Sequence, residues 1–302
     1  MDLSVIIATF NRSAVLKQTL ASLESMTVPS SVRWELLVAD NNSSDDTRAV
    51  VQEFGQHALM EVRYLFVAQQ GKSFALNAAI QQARGEIIAF TDDDVTFDPK
   101  WLINLKRGLD EWGCMAVGGK IIPVWNGPLP SWFQWEGQQA VVHLDLGERP
   151  KELNFAIGAN AAFRREAFEK YGLFETKVGV SAESAASYED DEFGHRLIRA
   201  GEKIMYVPEA IVYHPVAPHR LTKAYFRRWF RDSGRMMIKA RIWPENSVLY
   251  AGIPRYLFRE LIENLFKWPV TFDEKLRFRR ELLVRRATGG MLEGLRMRWS
   301  RE

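Results

Sequence analysis

Residues 62–94 read VRYLFVAQQGKSFALNAAIQQARGEIIAFTDDD. Val62 to Val67 has the apolar character of a strand, Lys72 to Ala83 reads as a helix stopped at Gly85, and Glu86 to Thr91 is a second apolar run that ends in Asp92-Asp93-Asp94. Strand, helix and strand at this spacing imply two parallel strands joined by a crossover helix. The same unit recurs upstream. Leu3 to Thr9 (LSVIIAT) is a continuous apolar run closed by Asn11 and Arg12; Ser13 caps a helix carrying Leu16, Leu20 and Leu23. Trp34 to Ala39 (WELLVA) ends at Asp40-Asn41-Asn42, and Asp45 and Asp46 open the next helix. The expected fold class is α/β, with a mostly parallel central sheet flanked by helices. In such sheets ligands sit beyond the carboxyl ends of the strands. Polar residues stand just past those ends: Thr9 and Asn11, Asp40, and Asp92 to Asp94.

Downstream the pattern loosens. Residues 121–150 are rich in Trp, Pro and Gly and read as a long irregular insertion; residues 176–188 are small and polar and read as a loop. A charged helix from Tyr188 to Arg199 stops at Gly201, and short strands follow at Lys203 to Val207 and Ile211 to His214. The expected division is a catalytic domain over 1–216 and a helical extension over 217–302. The extension holds 20 Lys or Arg against 9 Asp or Glu, a net of +11, whereas residues 1–216 hold 20 against 29, a net of −9. Residues 255–268 place Leu257, Phe258, Leu261, Ile262, Leu265 and Phe266 on one helical stripe; residues 223–242 and 274–286 are noisier versions rich in Arg and aromatics. The whole chain has 302 residues, 47% of them hydrophobic, and a single cysteine, Cys114, which excludes an intramolecular disulfide framework or a cysteine zinc cage. No apolar run is long enough to span a bilayer, and the N-terminus lacks the pattern of a signal peptide. The expected location is cytoplasmic.

Five features carry candidate chemistry. Asp92, Asp93 and Asp94 repel one another, and a hard divalent cation would offset their charge; the alternative is a solvated turn that caps the helix beginning near Pro99. Glu189-Asp190-Asp191-Glu192 opens a helix, where acids favour the helix dipole, yet four exceed that need and one could serve as a general base. His214 is either a structural residue or a partner of carboxylates around a metal. Gly158-Ala159-Asn160 allows close backbone approach to a ligand, or simply forms a tight turn. Lys72 at a helix start suits phosphate, but no P-loop, dinucleotide fingerprint or serine-hydrolase elbow is present.

Six segments in order, SVIIATFNR, LLVADNNSSDDT, GKSFALNAAIQQARGEIIAFTDDD, GANAAFRREAFEKYGLFE, EDDEFGHRLIRAG and VPEAIVYHP, resemble the inverting family 2 glycosyltransferases of surface polysaccharide or glycolipid assembly. The resemblance covers roughly residues 3–216 and implies the GT-A fold. It implies that Thr9, Asn11, Asp40, Lys72, Asn77, Asp92 and Asp93 bind the nucleotide of a UDP-sugar donor. Asp94, with Asp92 and His214, would bind Mn²⁺ or Mg²⁺ beneath the diphosphate. Gly158, Ala159, Asn160 and Glu189 would form the sugar and acceptor site. Asp190 matches the catalytic base, and Asp191 is the other possible assignment. A non-catalytic nucleotide-sugar-binding protein at a membrane surface is the alternative reading.

The acceptor is expected to be a glycan or lipid-linked hydroxyl. The tail's stripes and tryptophans favour an anionic membrane surface, at its inner face, over nucleic acid. A cap packed on the catalytic domain or a homodimer interface is the other reading of the tail.

Overall fold

A computed structural model describes residues 1–134, 140–179, 184–244 and 246–299. Residues 135–139 of the 121–150 insertion and 180–183 of the 176–188 loop lie outside the described residues. The chain divides into two compact units: one from 1–124, 142–176 and 190–215, the other from 125–141, 177–189 and 216–302. The segments 125–141 and 177–189, read from sequence as part of the first domain, therefore group with the second unit.

The first unit is built on one sheet. Its strands are β1 (Leu3–Thr9), β2 (Trp34–Asp40), β3 (Glu61–Phe66), β4 (Ile87–Thr91), β5 (Thr96–Phe97), β6 (Ala116–Trp125), β7 (Lys151–Glu152), β8 (Asn160–Arg164) and β9 (Ile204–Val216). The order is β3-β2-β1-β4-β8-β6-β9-β5, with β7 beside β9. Helices α1 (Ser13–Glu24), α2 (Thr47–Gly55) and α3 (Lys72–Gln82) are the crossovers between the first four strands. Those four are parallel, as the apolar runs predict. Beyond β4 the sheet turns antiparallel, at β4–β8, β8–β6 and β9–β5. Nothing in the apolar pattern of these strands gives their direction. The two strands expected at 203–207 and 211–214 are one continuous β9.

Apolar side chains fill both faces of the sheet. Leu3, Val5, Ile7 and Leu36 pack on one side with Leu16 and Leu20 of α1 and with Trp101 of α4 (Trp101–Trp112). Ile6, Leu37, Ile88 and Phe90 pack on the other with Leu76 of α3, Phe168 of α5 (Arg165–Tyr171) and Phe193 of α6 (Glu189–Arg199). Phe90 meets Phe163, Phe168 and Phe174 edge to face, with ring centroids 5.5–5.8 Å apart. One buried charge crosses this core. Glu35 is fully buried and accepts from Ser4, Arg63 and Arg84, whose cations and hydrogen bonds hold its carboxyl below the ordinary range despite burial.

The second unit is helical: α7 (Lys223–Ala240), α8 (Arg255–Lys267) and α9 (Glu274–Trp299), the last running well past the expected end at 286. The α7–α9 crossing is close because Gly234 faces the Arg286 carbonyl and Gly289 faces the Arg231 carbonyl; any side chain at either glycine would meet backbone. Phe226, Phe230, Phe278 and Leu282 form the core with Phe133 and Val141. On α8 the expected stripe is only half used: Leu257 is buried, while Ile262, Leu265 and Phe266 are exposed.

Candidate active site

Register explains why motifs far apart in sequence converge. Thr9 pairs with Asp40 across β1–β2, and Ile7 pairs with Thr91 across β1–β4, so β1 and β2 end level and β4 ends two residues before them, with the aspartates following directly. Thr91 pairs in turn with Asn160 across β4–β8, bringing residues 158–160 alongside. Thr96 pairs with Tyr213 across β5–β9, which sets His214 beside the aspartates.

The aspartate triplet is compensated by two cations. Arg12 donates to Asp93 Oδ1 at 2.6 Å and to Asp94 Oδ2 at 2.7 Å; Lys72 Nζ lies 2.6 Å from Asp92 Oδ1. Thr9 Oγ1 donates to Asp93 Oδ2 at 2.7 Å, and Thr19 Oγ1 donates to the Asp93 carbonyl at 2.8 Å. Burial pushes the Asp93 carboxyl up to about 6 against the pull of Arg12. Burial also acts on Asp92, but Lys72 and the His214 ring outweigh it and hold that carboxyl well below the usual range.

The remaining oxygens of the outer two aspartates converge on the buried His214. Its Nε2 is 3.4 Å from Asp94 Oδ1 and 3.8 Å from Asp92 Oδ2, while Nδ1 lies 3.1 Å from the Pro215 carbonyl. One ligand atom from each of Asp92, Asp94 and His214 falls within 4.8 Å of the others. Two carboxylate oxygens and one imidazole nitrogen suit a divalent ion of the manganese type, and magnesium less closely because it prefers an all-oxygen shell. The residues present fit the expected ion.

Next to the triplet, residues 9–13 and 40–47 are stitched together. Asn11 takes a left-handed conformation, φ 49°, and its Oδ1 accepts from Ser44 N at 2.7 Å. Asp40 is buried and accepts from Tyr64 OH at 2.6 Å and Ser43 N at 2.8 Å. Burial and the Asp40 carboxylate raise the Tyr64 phenol above its ordinary range. Asn77 lies on α3 and exchanges both amide bonds with the Phe174 backbone, at 2.8 and 3.0 Å.

Asp190 is positioned by the close approach of α6 to the segment between β7 and β8. Gly194 of α6 faces the backbone of Asn154 and Phe155, leaving no room for a larger residue. One turn earlier Asp190 Oδ2 accepts from Gly158 N at 2.7 Å, and a Cβ at 158 would stand 3.0 Å from both carboxylate oxygens. The small residue at 158 thus admits the Asp190 carboxylate itself. Asp191, half-buried and next on the helix, is not the acceptor of this bond. Asn160 is wholly buried; its amide donates to the Lys120 and Ala210 carbonyls, both at 2.8 Å, and accepts from Trp101 Nε1 at 2.7 Å. Ala159 offers its carbonyl to Thr91 Oγ1 at 3.1 Å. Glu189, also buried, accepts from Ser187 through Oε2, while Oε1 has no hydrogen-bond partner among the described residues.

The structure therefore gathers Thr9, Lys72, Asp92, Asp93, Asp94 and His214 into one connected network and joins Gly158 to Asp190. Sequence reading missed Arg12 and Tyr64. Arg12 had a signal, since it follows Asn11 at a strand end and three carboxylates require cations. Tyr64 lies inside a strand and gave none.

Comparison with known proteins identifies the class. The family model for Glycosyl transferase family 2 matches residues 4–172, and the chain belongs to that family. It is 29% identical over 243 residues to the succinoglycan biosynthesis protein ExoM of Rhizobium meliloti (strain 1021), covering 78% of this chain and 75% of that protein. It is 23% identical over 224 residues to the glucosyl-dolichyl phosphate glucuronosyltransferase of Haloferax volcanii, covering 73% and 71%. Its fold matches that of a mannosyltransferase from Pyrobaculum calidifontis, solved in complex with GDP-Man and Mn²⁺, with a TM-score of 0.65 at 17% identity over 99% of this chain and 88% of that one. The fold is GT-A and the protein is a glycosyltransferase.

Proposed function

We propose that this chain is a metal-dependent, inverting glycosyltransferase that moves a sugar from a nucleotide diphosphate donor, UDP in the first instance, to a hydroxyl of a glycan or lipid-linked acceptor. The observation that carries this reading is the convergence of Asp92, Asp94 and His214 at the strand ends. When bound there, Mn²⁺ or Mg²⁺ supplies positive charge beside the leaving diphosphate. Thr9, Asn11 and Asp40 line the nucleotide pocket, Asp93 serves the ribose, and Lys72 at the start of α3 faces the diphosphate. Asn77 and Asn160 act by position, since their amides are committed to protein partners. Gly158 and Ala159 form the floor of the sugar and acceptor site, to which the family resemblance also assigns Glu189. The acceptor oxygen bonds to the anomeric carbon as the bond to the diphosphate oxygen breaks on the opposite face. Its proton passes to Asp190, whose carboxylate is held ready by Gly158 N.

The donor follows from the family resemblance, and the GDP-Man complex of the Pyrobaculum mannosyltransferase makes GDP the competitor to test. Thermal-shift comparison of UDP- and GDP-sugars with Mn²⁺ ranks the donors, because a ligand of the native state raises apparent stability. Nucleotide release with and without acceptor then separates a transferase from a non-catalytic sugar-nucleotide binder. Donor binding without any turnover would overturn the enzymatic reading.

We also propose that the tail seats on an anionic membrane, at its cytoplasmic face. Among the described residues no helix is long and apolar enough to cross a bilayer. The last turn of α8 exposes Phe266 (74%), the turn after it exposes Val270 and Phe272 (98%), and Arg255, Arg259, Lys275, Arg277, Arg279 and Arg280 occur on α8 and α9. This combination of exposed aromatics and cations suits shallow insertion between charged headgroups. A homodimer built on the same apolar face is the competing outcome.

A further inference from the structure

The two buried acids of β2 are matched in different ways. Glu35 pairs with the guanidinium groups of Arg63 and Arg84. Asp40, at the carboxyl end of the strand, has no ion pair among the described residues. Its carboxylate takes two neutral donors instead, the Tyr64 phenol on Oδ2 at 2.6 Å and Ser43 N on Oδ1 at 2.8 Å. A carboxylate has about four acceptor positions, so this buried one keeps capacity for a donor on a ligand.

Tyr64 is well placed to fix that carboxylate. Val38 pairs with Tyr64 and Asp40 with Phe66 across β2–β3, so the phenol reaches Asp40 diagonally along one face of the sheet. The Arg48 guanidinium stands 5.6 Å over the Tyr64 ring. Burial and the carboxylate raise the phenol above its ordinary range, so it remains a donor at neutral pH. The segment after β3 is tied to the same strand end: Val67 N donates to the Asp40 carbonyl at 2.8 Å, and Gly71 N donates to Asn41 Oδ1 at 2.7 Å. The two carboxylate oxygens are not equally open. Oδ2 carries a hydroxyl with its ring, whereas Oδ1 carries a main-chain N–H whose own side chain is turned to Asn11 N.

Nucleotide bases ask different things of such a group. Guanine presents two adjacent donors, N1–H and the N2 amino group, and takes both oxygens of a carboxylate side by side. Uracil presents one donor, N3–H, between two carbonyls, and takes one. We propose that Tyr64 is a specificity-determining residue: by occupying Oδ2 it leaves Asp40 a single oxygen for a base N–H, which suits uracil and selects against guanine. The proposal rests on the transferase reading for Asp40 as the residue that meets the base, and deepens it by naming the side chain that sorts one base from another.

Calorimetric titration of the full-length protein with UDP, GDP and IDP, each with Mn²⁺, tests this. The wild type should prefer UDP, and GDP should gain nothing over IDP, which lacks the N2 amino group. A wild type that prefers GDP to UDP, or binds GDP about tenfold more tightly than IDP, has both oxygens in use and overturns the proposal without any variant. Tyr64→Phe removes one oxygen and keeps the ring. It should weaken UDP and free Oδ2 for guanine, so that the preference for UDP over GDP falls about tenfold, the scale of one hydrogen bond to a charged group. An equal loss for both nucleotides, or an unchanged preference, marks a merely structural tyrosine and also overturns it. Asp40→Ala keeps the two readings apart and should weaken UDP by about tenfold or more. If it does not, Asp40 does not meet the base, and the pocket assignment falls together with the role of Tyr64. If it does while Tyr64→Phe leaves the preference unchanged, the role of Tyr64 falls alone. Unfolding curves check that both variants are folded.

Discussion

Carboxylates and cations are matched in opposite proportions in the two units. At the strand ends of the first unit three aspartates share two cations, Arg12 and Lys72, and the uncommitted oxygens turn toward His214. In the helical unit the acids are the minority: Asp232 and Glu293 are buried, and each lies within reach of three basic side chains. An excess of carboxylate at a sheet edge leaves acceptor atoms for a metal. An excess of guanidinium around buried acids leaves a helical surface that is still positive. Similar ion pairs thus leave residual charge of opposite sign.

The strongest way to break this contrast is to remove a carboxylate from the deficient side. Asp94→Ala deletes a proposed ligand and also releases one arm of Arg12. Turnover should fall about 10³-fold, the scale of losing a preorganised electrostatic contact in a closed site. The melting temperature should change little, since Arg12 keeps Asp93. Nucleotide release measured over a Mn²⁺ titration checks this. Wild-type activity persisting in EDTA would sink the metal reading.

The second test concerns Asp190. Asp190→Asn keeps shape and removes basicity, so transfer should drop about 10²-fold or more while donor binding persists. Asp191→Asn should remain active, because it is Asp190 that receives the Gly158 N–H. A dead Asp191→Asn with an active Asp190→Asn would move the base by one position.

Much of this site was legible before the fold was known, for one physical reason. Parallel strands joined by crossover helices must end on one edge, so Thr9, Asp40 and Asp92 to Asp94 had to be neighbours once their runs were read as strands. What was not legible came from the antiparallel half. Nothing in the apolar pattern of 204–216 shows that β9 runs beside β5 and sets His214 next to Asp94. Nor does the sequence around 158 show that its missing side chain makes room for Asp190. Resemblance to the family supplied the grouping of His214 with Asp94; it gave Gly158 and Asp190 separate roles without pairing them. The tail shows the limit of periodicity in another way: the stripe on α8 was read correctly as helical, but a 3.6-residue period does not say which part of the stripe finds a partner.

A smaller effect should separate structural from functional carboxylates within the first unit. Glu35 is as buried as any aspartate of the triplet, yet its oxygens are satisfied by Ser4, Arg63 and Arg84. Glu35→Gln should cost about 2 kcal/mol of stability, the scale of charge-assisted hydrogen bonds, with the donor site intact. The sign with pH is fixed by the lowered carboxyl. Its stabilisation is fully present above the ordinary value of 4.5 and is lost as pH falls through the lower, folded value. Denaturant melts between pH 6 and pH 3 should therefore steepen in the wild type relative to the variant. Parallel curves would show that Glu35 contributes no linkage.

The least expected change belongs to the positive surface. If the α8–α9 turn meets an anionic bilayer, charge and insertion contribute separately and can be removed separately. Arg277→Gln removes one exposed cation, worth about 1 kcal/mol near such a surface, and should weaken vesicle binding by about fivefold at low salt and less as salt screens the rest. Phe272→Ser removes the most exposed aromatic of the turn and should weaken binding at every salt concentration, because apolar insertion is not screened. Co-sedimentation with anionic and neutral vesicles across a salt series reads both. The two variants should differ in salt dependence more than in size of effect. If the intact protein ignores anionic vesicles, the exposed face of Ile262, Leu265 and Phe266 is left for a second copy of the chain, and concentration-dependent light scattering should then show a dimer that Phe266→Ser disrupts.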